Sequence, residues 1–263
     1  MTTGYFHLGP DGFHPQPSAS GPWSDQMLHG RLLGGLAARA IEADIPEGWR
    51  VGRLTVDLFR PAAMAPVAVE VHPVRMGRRL RVLDAMVTCD GHQVARAVAV
   101  ILAESEGPPG RIWRPSHAEW PDPEFVPVPA DADPDEPWLM RPVEGGFGTG
   151  EQTRIWTRET ACVVAGEPVS PLVRAAISGD LACPLANSSD QGLHYINGDY
   201  TLALARYPVG EWVGLETAQQ LAADGISMAS ATLFDTAGPF ATSTGSSLAR
   251  PPLVTDAESA PTG

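Results

Sequence analysis

Cysteine is scarce in this chain, lysine is absent, and positive charge is outnumbered. The 263 residues hold three cysteines, Cys89, Cys162 and Cys183. Widely spaced and odd in number, they fit neither a disulfide framework nor a zinc site, and a reducing cytoplasm is the expected compartment. All 18 cationic residues are arginine, against 31 acids, for a net charge of -13. A nucleic-acid partner is disfavoured, because neutralising phosphates needs a basic face. No charged segment followed by an apolar core opens the chain, and no apolar run reaches about 18 residues, so neither export nor a membrane is expected. No Gly-x-Ser-x-Gly elbow occurs, which argues against acyl-enzyme chemistry of that kind.

What is present suits a folded globular chain, with 43% hydrophobic and 19% charged residues. The charge is uneven: residues 1–104 balance, whereas 105–150 and 151–263 are both acidic. Seven arginines fall within 32 residues, Arg50, Arg53, Arg60, Arg75, Arg78, Arg79 and Arg81. They read either as solvated strand faces with a turn at Gly77 or as a phosphate-binding cluster. Between Glu104 and Gly150 lie 10 of the 26 prolines and the acidic run Asp131 to Glu136. Such a stretch cannot hold a helix and has few ladder donors, so an extended surface connector is expected.

The chain repeats itself. A glycine-rich helical stretch from Ser24 to Ala43 leads to a strand ending Leu58-Phe59-Arg60-Pro61, with later breaks at Gly77 and Asp90-Gly91. A second helical stretch, Ser170 to Leu181, leads to a strand ending Leu204-Ala205-Arg206-Tyr207-Pro208, with breaks at Asp224-Gly225 and Ala237-Gly238. Pro61 to Gly91 and Pro208 to Gly238 both span 30 residues, so one helix-plus-meander unit has been duplicated at an offset of 147. The fold class is α+β. The division reads as 1–104 for the first unit with an irregular arm, 105–150 for the linker, 151–252 for the second unit and 253–263 for a tail.

In the first unit Ser24 is the expected N-cap, and Leu28, Leu32, Leu36 and Ala40 form an apolar stripe. Gly30, Gly34 and Gly35 lie in the body of this helix, each costing roughly 1 kcal/mol relative to alanine, so something must approach its backbone closely. Strands are expected at 51–59, 67–74, 80–89 and 93–102. In the second unit Ser170 as N-cap and Pro171 at the first helical position start a helix that Pro184 should end. Asp180 then sits in the last turn, facing the negative end of the helix dipole, at a cost of about 0.3 to 1 kcal/mol. Either it is an exposed residue at a frayed end, or it is a site carboxylate that orients water or accepts a proton. Asn197 is either a turn residue before Gly198 or a polar site group. His29 reads as capping, packing or touching substrate. His194, three residues before Asn197, is expected to approach Asp180 if both face one cleft.

Several strings resemble a known family. Gly21-Pro22-Trp23, His29-Gly30-Arg31-Leu32-Leu33-Gly34-Gly35 and Arg53-Leu54-Thr55-Val56-Asp57-Leu58-Phe59-Arg60-Pro61 are similar to the N-terminal half of the double-hotdog acyl-CoA thioesterases of type II. Gly166-Glu167-Pro168-Val169-Ser170-Pro171-Leu172, Tyr195-Ile196-Asn197-Gly198-Asp199-Tyr200-Thr201-Leu202 and Gly210-Glu211-Trp212-Val213-Gly214-Leu215 are similar to the C-terminal half. The resemblance implies a tandem hotdog, two helix-wrapped antiparallel sheets joined as a pseudo-dimer. It also implies a site in which an Asp, a Thr and a Gln hold water against a thioester carbonyl. The Asp matches Asp180, the Thr position carries Asn197, and the Gln position falls at Gly245 or Ser246.

The expected function is hydrolysis of an acyl thioester carried by coenzyme A or acyl carrier protein. Asp180 orients and polarises a water, Asn197 helps to fix it, and Ser246 or Thr244 stands in for the Gln. His29, Gly30, Gly34, His194 and Gly245 are the expected substrate-binding positions. No cofactor and no metal are called for, and a homo-oligomer is left open. The second reading is a hotdog protein that binds, cyclises or dehydrates a hydrophobic or polyketide-like ligand.

Overall fold

A strand that buries alternate residues needs an apolar surface to cover, and here that surface is a pair of helices. The computed structural model describes residues 4–130, 132 and 136–250. The first half comprises β1 (Gly4–Gly9), β2 (Gly12–Pro15), α1 (Gly30–Glu42), β3 (Trp49–Leu58), β4 (Val67–Met76), β5 (Leu80–Cys89) and β6 (His92–Ala103). The second comprises β7 (Trp138–Glu144), β8 (Arg154–Glu159), β9 (Cys162–Val164), α2 (Pro171–Asp180), α3 (Ala182–Ala186), β10 (Tyr195–Asn197), β11 (Asp199–Leu204), β12 (Val213–Ala223), β13 (Ile226–Asp235) and β14 (Gly238–Ala249).

These strands form one 14-stranded sheet in the order β9-β1-β2-β4-β5-β6-β3-β11-β14-β13-β12-β8-β7, with β10 also on β14. Only the β1–β9 pair is parallel. The chain passes from β8 to β9 through Thr160 and Ala161 alone, although these strands stand near opposite ends of the order. The sheet therefore curls until its two ends meet around the helices. At the central seam β3 and β11 run antiparallel, with Thr55 opposite Thr201 and their hydroxyl oxygens 3.0 Å apart.

The internal repeat is visible in the strands. β4, β5 and β6 recur as β12, β13 and β14, with first residues Val67 and Val213, Leu80 and Ile226, His92 and Gly238. Asp90-Gly91 (φ 48° and 71°) and Asp224-Gly225 (φ 51° and 75°) adopt the left-handed conformation at both positions. That is the geometry of a two-residue hairpin whose twist matches the flanking strands.

Three expectations require correction. Ser24 does not cap a helix: Ser24–Leu28 is a short strand paired with Ser20–Gly21, and α1 starts after His29. Backbone pairing over distance decides this, with Leu28 N donating to Ala62 O at 2.8 Å and His29 N to Ala19 O at 2.9 Å. Pro184 does not end α2, which stops at Asp180; it lies in the first turn of α3, where a missing N–H costs nothing. The segment between the halves is more than a connector, since β7 pairs along β8 and carries Pro142 on an edge, where proline is tolerated. Most of the acidic run 131–136 and the tail lie outside the described residues.

The glycines of α1 are explained by what touches them. A Cβ on Gly34 would stand 2.0 Å from Tyr200 Oη, and one on Gly35 would stand 2.9 Å from Ile177 Cγ1. Tyr200 belongs to β11, is fully buried, and donates to Ala176 O of α2 at 2.9 Å. The two helices are thus locked together over β11. Gly34→Ala should lower stability by about 1–3 kcal/mol, the usual cost of overpacking, in denaturant unfolding. The loss should shrink when Tyr200→Phe removes the clashing oxygen; equal losses in both backgrounds would assign the glycine another role.

Candidate functional site

The site begins with the way α2 is built. Ser170 Oγ accepts from Val173 N at 3.2 Å and Pro171 occupies the first helical turn, so the helix start is fixed and its tenth residue is Asp180. Asp180 is 3% exposed. Burial raises its carboxyl from the ordinary 3.8 to about 6, while the Asn197 hydrogen bond and the Arg31 charge pull the other way. A carboxyl poised there exchanges protons near neutral pH, as a general base or acid must.

Asn197 ends β10 and donates through Nδ2 to both Asp180 Oδ1 and Asp180 O, at 3.0 Å each. It thereby closes the end of α2 and holds the carboxylate in one orientation. Both residues line a cavity of about 840 Å³ that is bounded by the start of α1, the Leu58–Ala62 segment after β3, and β7. Its walls are largely apolar, with Trp23, Phe59, Trp138 and Phe147 prominent. His29, Gly30 and Arg31 at the start of α1 face the same space. The first N–H groups of a helix have no acceptor within it, and His29 supplies no side-chain cap. A half-buried helix N-terminus and a buried carboxylate thus share one pocket.

Other expected positions lie elsewhere. Along β14 burial alternates, so Ser243, Gly245 and Ser247 face inward while Thr244 and Ser246 face out. Ser246 Oγ bonds the Asp199 carboxylate, and Thr244 Oγ1 donates to Ala229 O at 3.2 Å. Gly245 faces inward without room for a side chain, since a Cβ would meet Asp199 O at 2.3 Å and Cys183 Sγ at 2.8 Å. His194 is exposed and contacts Gln191 O at 3.0 Å. Gly34 is a packing residue against Tyr200 and does not line the cavity. The arginine cluster is divided: Arg60 stands at the cavity, whereas Arg75, Arg78 and Arg79 are exposed around the β4–β5 turn, Arg81 stacks on Trp49 at 4.4 Å and Arg50 meets Glu104 at 3.5 Å.

A buried ion pair beside the pocket was not foreseen. Arg31 is 1% exposed and its guanidinium pairs with Glu159 of β8, while Nη2 donates to Tyr5 Oη of β1 at 2.9 Å. Tyr5 Oη also stands 2.5 Å from Glu159 Oε2, and the Arg31 guanidinium lies 4.5 Å from the centre of the Trp138 ring. This cluster ties α1 to both ends of the sheet. Its only trace in the sequence is an arginine in the apolar start of a helix. Burial and the Arg31 charge push His29 down to about 3, so it is neutral at physiological pH.

A larger cleft of about 1020 Å³ lies on the outer face of the sheet, beneath residues 114–123. Its Asp235 is committed to Arg206 and to the N–H groups of Val209 and Ala237. The smaller cavity, with Asp180 in its wall, is therefore the candidate site. Among the described residues no group of three His, Cys, Asp or Glu side chains is placed to hold a metal ion, and no helix is long and apolar enough to cross a membrane.

Comparison with known proteins establishes the family and the fold. Residues 19–102 match the acyl-CoA thioesterase N-terminal domain and residues 108–248 the acyl-CoA thioesterase C-terminal domain. The chain belongs to the acyl-CoA thioesterase family, a family of hydrolases. Among curated proteins none matches significantly. Among solved structures, a tesB protein of Mycobacterium avium subspecies paratuberculosis is 18% identical with a TM-score of 0.70, over 93% of this chain and 95% of that one. A putative thioesterase II from Thermobifida fusca is 15% identical with a TM-score of 0.74, over 95% and 96%. A protein of unknown function with a hotdog fold from Alicyclobacillus acidocaldarius is 18% identical with a TM-score of 0.73, over 94% and 96%. The fold is of the hotdog type.

Arg31→Met should cost about 3–5 kcal/mol in unfolding experiments near pH 7, because it strands the Glu159 charge in the interior. Adding Glu159→Gln should return part of that loss. A double variant no more stable than the single one would remove the ion pair from this role.

Proposed function

We propose that this protein hydrolyses an acyl thioester of coenzyme A or acyl carrier protein, using a water held by Asp180, within a pseudo-dimer of two hotdog units joined at β3 and β11. The observation that carries the reading is the Asp180–Asn197 pair, buried at the end of α2 and facing the same cavity as the start of α1. The thioester carbonyl points at the free N–H groups of α1, where Gly30 presents backbone without a side chain. Ionised Asp180 takes a proton from water as the water oxygen attacks the carbonyl carbon. Negative charge develops on the carbonyl oxygen and is stabilised by the helix N-terminus, a preorganised dipole. The tetrahedral species collapses by breaking the carbon–sulfur bond, and the proton on Asp180 passes to the departing sulfur. Asn197 keeps the carboxylate aimed throughout.

Cys183 adjoins Asp180 but is no nucleophile here, because burial raises its thiol to about 12 and keeps it protonated. A non-hydrolytic role, binding, cyclising or dehydrating the acyl group, draws support from β14, whose inward positions offer no amide side chain. It predicts tight binding of a thioester without release of thiol.

Asp180→Asn should lower thiol release from a panel of acyl-CoA substrates by about 10²-fold or more, the usual worth of a general base. Stability gives an independent check. The folded carboxyl titrates at about 6, above its ordinary 3.8. Its contribution is therefore fully present below about 3.8 and is lost as pH rises through 6. Relative to wild type, Asp180→Asn should gain stability between pH 4 and 8, on the order of 3 kcal/mol for a shift of this size. Undiminished turnover with lower stability would make Asp180 a structural residue.

A further inference from the structure

At 245 or 246, where the resemblance places a glutamine on the last strand, there is no amide, and the polar side chain nearest to Asn197 on that strand is Ser247. Behind Asn197 runs a chain of buried side chains. Ser247 Oγ lies 3.2 Å from Asn197 Oδ1, and Asn187 Nδ2 lies 3.4 Å from Ser247 Oγ. Asn187 Oδ1 in turn accepts from Ser227 Oγ at 2.6 Å and from Gln220 Nε2 at 3.2 Å. Asn187, Ser227 and Ser247 are 7%, 1% and 3% exposed, so water cannot easily replace the bonds among these three, whereas Gln220 at the outer end is exposed.

The donors and acceptors fix a direction. With two donors on its oxygen, Asn187 must turn its NH₂ group toward Ser247. Ser247 accepts that bond, and its single proton goes to Asn197 Oδ1, a better acceptor than the neighbouring Cys183 thiol, which burial keeps protonated. Asn197 is then held with its oxygen toward Ser247 and its NH₂ toward Asp180. Every bond in the chain donates toward the carboxylate, an arrangement in which each bond polarises and strengthens the next.

We propose that Ser247 and Asn187 are positioning residues for the reaction, which fix the Asn197 amide so that it donates to Asp180 and keeps the carboxylate aimed into the cavity. They touch no substrate and act through Asn197 alone. This proposal rests on the hydrolytic reading, but the orientation of the amide can be measured without substrate. The charged and titratable groups that face Asp180 are Arg31 from α1, Cys183 from α3 and Tyr200 from β11. Arginine stays charged, the thiol rises to about 12 and burial raises the Tyr200 phenol well above its usual value. Near pH 6 only Asp180 changes its charge among them.

The test uses the full chain with ¹³C-labelled aspartate carboxyls, assigned by comparison with Asp180→Asn. In Ser247→Ala, Asn197 loses the donor that fixes its amide, and the Asp180 midpoint should move upward by about one pH unit, the order expected for a weakened hydrogen bond to a charged group. The acid limb of kcat/KM should move with it, kcat near pH 7 should fall several-fold, and KM should stay level. Ser247→Thr, which keeps the hydroxyl, should restore both. Gln220→Ala, at the outer end of the chain, should give a smaller shift in the same direction and guards against a Ser247→Ala protein that fails to fold. An unmoved carboxyl midpoint in folded Ser247→Ala, or in Gln220→Ala where the first does not fold, overturns the proposal. A midpoint that moves while turnover is unchanged confirms the orienting chain and counts against the hydrolytic role of Asp180.

Discussion

The structure depends on how closely α1 approaches α2 and β11. Gly34 and Gly35 leave the first helix without side chains on one flank, and Tyr200 and Ile177 fill that space. Larger residues at either glycine would push the helices apart and carry the end of α2 away from the start of α1. The proposed chemistry depends on those two helix ends opening on one cavity. A carboxylate at a helix C-terminus and a hydrogen-bond-donating helix N-terminus on either side of a carbonyl are electrostatically suited to a developing oxyanion. The helix glycines cost intrinsic propensity, and the tight interhelical contact offsets it.

Electrostatics at the site are set by opposing effects. Burial disfavours charge on Asp180, whereas Arg31 and the donor from Asn197 favour it. The balance leaves the carboxyl near neutrality. Arg31 is itself held by Glu159 and Tyr5, which come from strands at the two ends of the sheet. Closure of the sheet and tuning of the carboxyl therefore share a side chain. Glu159 lies 128 residues from Arg31, and Tyr5 lies 154 residues from Glu159.

That separation explains what was and was not legible in the sequence. Local signals were reliable: β5 runs from Leu80 to Cys89 as its alternation implies, the Asp-Gly pairs are hairpin turns, and Ser170 with Pro171 starts α2. Asp180 drew attention because a carboxylate in the last turn of a helix is unfavourable, and the structure shows it buried and not at an exposed, frayed end. The Ser24 segment was misread because four-residue apolar spacing also suits a short strand when distant backbone supplies the ladder. On β14, counting from either end left a choice between positions 245 and 246, and a one-residue slip in a strand exchanges inside for outside. The polar chain through Ser247 and Asn187 to Asp180 needs the register of four strands and the ends of two helices, which no local pattern encodes.

The central claim is that one buried carboxylate, tuned toward neutrality, supplies the base. The most direct measurement is the pH dependence of kcat/KM with a reactive acyl-CoA, for wild type and for the residual activity of Asp180→Asn. The account predicts an acid limb with a midpoint at about 6 in wild type, absent from the variant. A wild-type profile that stays flat from about pH 5 to 8, or a limb that persists in the variant, would contradict it.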